Sequence, residues 1–141
     1  MLKVVVIDSN AISRNLLTSV LLNGGFDVVG DSNLSPAGIA SMIKLKPQMV
    51  CIDIGTNDEE GLGRIDSLRN ALPKTLLFLV SGQFDPLTVQ NAVGRGVHGF
   101  IVKPFKAETV LKTIRNAVIK LAKQHRQSAS QDNAAPMQDE S

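Results

Sequence analysis

The 141-residue sequence predicts an α/β fold, a parallel β-sheet doubly wound with helices on both faces. Three observations lead there. Short runs of β-branched and other apolar residues recur five times along the chain. Each is followed by a segment whose apolar residues repeat at the helical period. Cap, proline and glycine signals start or stop several of those helices. Strands that alternate singly with helices pair in parallel, because each helix carries the chain back to the same end of the sheet.

The first strand is Lys3 to Asp8, and its apolar run "VVVI" ends on an acid. Ile12, Leu16, Leu17, Val20 and Leu21 then form one helical face, and Gly24-Gly25 stops the helix. The second strand spans Phe26 to Gly30. Ser35-Pro36 is an N-cap followed by a first-turn proline, with Ile39 and Ile43 on the face behind it. The third strand, Gln48 to Asp53, also ends on an acid, and Leu62, Ile65, Leu68 and Leu72 mark the next helix. The fourth, Thr75 to Val80, runs into Ser81. Asp85-Pro86 repeats the cap and proline signal before Val89 and Val93. The fifth, Gly99 to Val102, leads into Lys103-Pro104-Phe105. A last helix, near Lys106 to Lys123, carries Val110, Leu111, Ile114, Ala117, Val118 and Leu121 on one side. These elements make one domain over residues 1–123. From Gln124 the apolar period stops. The stretch "QHRQSASQDNAAPMQDES" (residues 124–141) reads as a disordered tail, or as a linker to a further domain.

Composition narrows the function. With no Trp and no Tyr, the chain lacks the stacking platforms that hold single-stranded nucleic acid, and its net charge of +2 is too small to argue for a polyanion. Cys51 is the one cysteine, so neither an intrachain disulfide nor a CxxC metal site can form. Its apolar surroundings mark it as a small buried hydrophobe. No stretch has transmembrane length, and the first apolar run is too short for a signal-peptide core, which predicts a cytoplasmic protein with no membrane partner. Gly94 to Gly99 spells GxGxxG, but it closes a helix and opens a strand, the reverse of a dinucleotide-binding turn. Ser81 lacks the GxSxG elbow of a hydrolase. His98 and His125 have no partners at metal-ligand spacing.

In an open parallel sheet, ligands bind beyond the carboxyl ends of the strands. Asp8, Ser9, Asp53, Ser81 and Lys103 all fall at such ends. An acid ending an apolar strand is costly to desolvate unless it is paired, and a lysine between two carboxylates favours the charged form of all three.

The stretches "VVVIDSN", "CIDIGTNDEEG", "FLVSG" and "GFIVKPF" resemble the receiver domains of two-component response regulators, the single-domain chemotaxis receivers in particular. The resemblance covers about Leu2 to Ala122. It implies a flavodoxin-like sandwich of five strands in the order 2-1-3-4-5 with five helices. It also implies a signalling role in a phosphorelay rather than an enzyme acting on external substrates. By the resemblance, Asp53 is the phosphoacceptor, Ser81 and Lys103 contact the phosphoryl oxygens, and Phe100 is the aromatic switch position. Asp8, Asp53 and the Gly55 backbone carbonyl would hold Mg2+, and the Lys103-Pro104 bond would be cis. A histidine kinase or phosphotransfer protein would supply the phosphoryl group. An output partner would meet the face of helix 4, strand 5 and helix 5. Phosphorylation would draw in Ser81 and let Phe100 turn inward from a solvent-facing rotamer.

One departure weakens that pattern. Where the family carries a second acid after the first strand, this chain has Ser9, a neutral hydroxyl that would bind the metal weakly or through water. Gly55 and Asn57 also stand where the family often has a polar side chain and a proline. Asp58, Glu59 and Glu60 read as a solvated helix start. The alternative is therefore a pseudo-receiver, a binding module that signals without phosphoryl transfer. Lys106, Lys112, Arg115, Lys120, Lys123 and Arg126 make the last helix basic, a solvated face or a surface for an acidic partner. Nucleic acid is disfavoured, since no helix-turn-helix follows the domain.

Overall fold

The structure, a computed structural model, describes the backbone of residues 1–140 and the side chains of residues 1–126. Strands β1 (Lys3–Ile7), β2 (Asp27–Ser32), β3 (Met49–Ile52), β4 (Leu76–Ser81) and β5 (Gly99–Val102) alternate with helices α1 (Ala11–Asn23), α2 (Pro36–Lys44), α3 (Glu59–Ala71), α4 (Pro86–Gly94) and α5 (Ala107–Glu140). The strands form one sheet in the order β2-β1-β3-β4-β5, with every neighbouring pair parallel. This is the flavodoxin-like order, and the reversal lies at β1 and β3, the two strands that end in acids.

Successive side chains of a strand point to opposite faces, and the core divides accordingly. Val5, Ile7, Val50, Ile52, Leu77 and Leu79 face Ile39 and Met42 of α2, Leu62, Ile65 and Leu68 of α3, and Ala92 of α4. Val4, Val6, Cys51, Phe78 and Val80 face Leu17 and Leu21 of α1 and Val110 and Ile114 of α5. The expected α3 face of Leu62, Ile65, Leu68 and Leu72 is buried throughout. Cys51 is fully buried, and the burial pushes its thiol up to about 12, so it acts as a hydrophobe and not as a nucleophile.

Two helical faces differ from the expected ones. On α1, Ile12 is 79% exposed and Leu16 51% exposed, whereas Leu17 and Leu21 are buried. Ile12 lies roughly 140° around the helix from Leu17, so the five apolar residues cannot share one stripe. On α4, Val93 points outward and Thr88 is buried in its place. The Thr88 hydroxyl can be buried because it donates to Asp85 Oδ2 at 2.9 Å.

The cap and proline signals hold. Ser35 accepts from the Gly38 N–H at 3.0 Å, and Asp85 from the Thr88 N–H at 2.8 Å. β2 runs to Ser32, beyond the expected end at Gly30. α5 continues past Lys123, so residues 124–126 are helical and exposed, since no glycine or proline breaks the helix there. The backbone of α5 runs on to Glu140 within the stretch 124–141 where a disordered tail was expected; the side chains from residue 127 on, and residue 141 altogether, lie outside the described residues. Among the described residues, no helix is long and apolar enough to cross a membrane.

Candidate functional site

Strands β1 and β3 are neighbours, with Ile7 paired to Ile52, so Asp8 and Asp53 leave the sheet side by side. Lys103 follows β5, two strands from β3, and its side chain reaches over the end of β4. Its Nζ lies 2.7 Å from Asp53 Oδ2 and 2.9 Å from Asp8 Oδ2. Burial disfavours the Lys103 ammonium, but the hydrogen bonds it donates to Asp53 and Asp8, with their charges, outweigh it and hold its pKa above the usual lysine value.

Each carboxylate has a second anchor. Asp8, only 4% exposed, accepts the Asn10 N–H on Oδ1 at 2.8 Å. Asp53 accepts the Gly55 N–H on Oδ1 at 2.9 Å. Gly55 has φ +82°, a conformation that favours glycine and explains why the loop after β3 carries one there. Further along that loop, Asp58 caps α3 by accepting the Gly61 N–H at 3.0 Å, with Glu59 and Glu60 in the first turn. That hydrogen bond, with a second from the Thr56 hydroxyl, pulls the Asp58 pKa below the ordinary aspartate value. A Cβ at Gly61 would run into the Thr56 carbonyl oxygen, so the interval from Asp53 to Gly61 is set by a tight loop-to-helix turn.

Other residues singled out from the sequence stand apart from this cluster. The Ser81 hydroxyl donates to the Gln83 carbonyl at 2.9 Å and accepts from the Gln83 N–H at 3.2 Å, so it is turned into its own loop. Ser9 is exposed. Phe100 is half-buried rather than solvent-facing. Its ring packs against the α2-α3-α4 side of the core and meets Phe84 edge-on, with centroids 5.0 Å apart. Phe84, from the loop after β4, supplies the apolar cover that the expected outward rotamer would have lacked. The Lys103-Pro104 bond is cis.

Two arginines at this rim were not singled out from the sequence. Arg14 Nη1 donates to the Asp8 carbonyl at 2.7 Å, and its Nε pairs with Asp31 Oδ1 at 3.1 Å. Arg64 Nη1 donates to the Ile54 carbonyl at 2.7 Å. Each lies on a helix about one turn past its start, a position that reads as solvated surface. The available signal was that the first turn of a helix after a strand-end acid faces the same rim.

A buried carboxylate and a half-buried one, both held by one ammonium, stand at the switch point of this doubly wound sheet, where ligands of such folds bind. The response regulator receiver domain family matches residues 4–115, and the chain belongs to that family. It is 26% identical over 117 residues to the chemotaxis protein CheY of Listeria monocytogenes, covering 83% of this chain and 98% of that one. It is 24% identical over 115 residues to the response regulator protein VraR of Staphylococcus saprophyticus, covering 81% of this chain and 55% of that one. Its fold is similar to that of the chemotaxis protein CheY4 of Vibrio cholerae, with a TM-score of 0.71, 22% identity, and coverage of 83% of this chain and 98% of that one. Receiver domains are signalling domains of two-component systems and interact with histidine kinases or phosphotransfer proteins.

Proposed function

We propose that Asp53 accepts a phosphoryl group from a phosphohistidine on a histidine kinase or phosphotransfer protein. A carboxylate is a usable nucleophile, and phosphoryl transfer asks chiefly for alignment and charge neutralisation. One Asp53 oxygen would bond to phosphorus as the phosphorus–nitrogen bond breaks. The departing imidazole keeps the electron pair. The observation that carries this reading is the double anchoring of Asp53, by Lys103 Nζ on Oδ2 and by the Gly55 N–H on Oδ1.

The donor set fits Mg2+ weakly. Asp8, Asp53, the Gly55 carbonyl and Ser9 are oxygen donors of the kind Mg2+ takes, but among the described residues no three acidic, His or Cys side chains cluster as a metal site. When bound, the ion would supply positive charge to the phosphoryl oxygens. Lys103 would neutralise an oxygen in its own right. Ser81 would have to leave the Gln83 backbone to reach the phosphoryl group, which frees the loop that carries Phe84. The Phe84–Phe100 pair would then repack and change the surface of α4, β5 and α5, where Leu87, Val93, Val102 and Ile119 are exposed. An acidic partner suits the basic side chains of α5, and charge reversal at Lys112, Arg115 and Lys120 should abolish its binding.

The test is phosphoryl transfer from histidine-phosphorylated donors to this chain and to the Asp53→Asn variant. Label on the wild type and not on the variant supports the reading. Ser9 favours the second reading, a pseudo-receiver that binds partners without phosphorylation. That reading gains if millimolar Mg2+ and beryllofluoride leave the spectrum of the protein unchanged.

A further inference from the structure

Arg64 stands on α3 and reaches back to the loop after β3. Its Nη1 donates to the Ile54 carbonyl at 2.7 Å, and its Nη2 lies 3.3 Å from Glu60 Oε1. The Ile54 carbonyl belongs to the same peptide group as the Gly55 N–H, which donates to Asp53 Oδ1 at 2.9 Å. One peptide plane therefore has a guanidinium at its oxygen end and the Asp53 carboxylate at its nitrogen end.

Both contacts are charge-assisted, the stronger class of hydrogen bond. They also reinforce each other. A cation on the carbonyl draws electron density along the peptide and makes the N–H a better donor, the cooperativity of a hydrogen-bond chain. Sterics alone do not fix this plane. Gly55 has φ +82° and no side chain, and residues 55–60 are exposed. The plane's orientation is set by what holds its two ends, and the carbonyl end is held from α3.

Asp53 has Oδ2 on Lys103 and Oδ1 on Gly55. A swing of the peptide would release Oδ1 and leave the carboxylate free to rotate about its bond to Lys103. We propose that Arg64 is a positioning residue for Asp53, holding and polarising the Ile54–Gly55 peptide so that the carboxylate keeps one orientation. The proposal deepens the phosphoacceptor reading and rests on it. Glu60 is a competitor, since its exposed carboxylate shares the guanidinium with the Ile54 carbonyl.

The test uses Arg64→Leu, Arg64→Lys and Glu60→Gln in the full chain, read in two ways. The Gly55 amide proton shift reports the N–H···Oδ1 bond in the unphosphorylated protein. Phosphorylation by acetyl phosphate reports alignment. Arg64→Leu should move the Gly55 amide proton upfield and slow phosphorylation about five- to tenfold, on the scale of a charge-assisted hydrogen bond acting through position. Arg64→Lys should restore part of both, and Glu60→Gln should move the amide proton the other way. Should Arg64→Leu fail to fold, the Lys and Gln variants decide alone. A Gly55 amide proton unmoved by the Arg64 variants overturns the proposal, and so does a moved amide proton with an unchanged rate. The amide shift needs no phosphoryl donor, so an inert Asp53 would remove the phosphoacceptor reading and still leave the peptide coupling decided.

Discussion

Replacing Lys103 by methionine keeps the length of the side chain and deletes its charge, leaving the Asp8 and Asp53 carboxylates facing each other. At 2.7 and 2.9 Å, and an effective dielectric near 20, each ion pair is worth about 6 kcal/mol of gross attraction. Most of that is cancelled by the desolvation the charges undergo. Exposed pairs retain about 0–1 kcal/mol, whereas removing one partner of a fully buried pair costs about 3–5 kcal/mol. With the Lys103 side chain 22% exposed and that of Asp8 5% exposed, the cluster falls between, so Lys103→Met should lose about 2 kcal/mol at pH 7.

The chain has no Trp or Tyr, so urea unfolding followed by far-ultraviolet circular dichroism is the assay. For a urea slope of about 1.5 kcal/mol/M, the midpoint should fall by about 1.3 M. The penalty has a signed pH dependence. The folded pKa of Lys103 is raised, so its contribution is fully present below the unfolded lysine value of about 10.4 and is lost as pH rises through the higher folded value. Wild type and variant should converge in strongly alkaline buffer. A variant as stable as wild type at pH 7, or a penalty unchanged at high pH, would refute the reasoning.

Other expectations follow from the same geometry. Ser9→Asp restores a formal charge beside Asp8 and should tighten Mg2+ binding about tenfold, read by calorimetry; an unchanged affinity would show that Ser9 does not face the ion. Phe78→Ala removes a fully buried ring and should cost about 3–5 kcal/mol in the same urea assay, a smaller loss meaning that the sheet collapses onto the void. Gly99→Ala would press a methyl to within 2.8 Å of the Phe78 ring, so it should destabilise, and pairing it with Phe78→Leu should recover part of the loss. His98 Nδ1 accepts the Leu77 N–H at 3.2 Å; although the residue as a whole is exposed, partial desolvation of its ring, helped by Arg69, lowers its pKa. Stability is then full above the unfolded value of about 6.5 and falls as pH drops through the folded value, a loss that His98→Gln should blunt.

Most of the fold was legible because strand runs and caps are local signals. Asp8, Asp53 and Lys103 were legible as a cluster because parallel topology sends every strand end to one rim. Ile12, Leu16 and Val93 were misjudged because hydrophobicity was read without angular position: a residue one step off the stripe is as apolar as one on it. Thr88 was overlooked for the converse reason, since its burial depends on a bond to Asp85 that composition cannot register. Arg14 and Arg64 act on backbone carbonyls. A main-chain oxygen has no letter in the sequence, so neither contact leaves a pattern to find. The rotamers of Ser81 and Phe100 depend on Gln83 and Phe84, neighbours whose loop is set by tertiary packing.

The reach of Lys103 across β4 has a consequence for synthesis. A ribosome releases the first and third strands well before the fifth, so an emerging chain holds two like charges at its sheet edge with nothing to reconcile them. Only when the last strand docks does the ammonium arrive. A chain that stops before the fifth strand therefore lacks the cation that holds both carboxylates, and the rim is complete only once the whole sheet has closed.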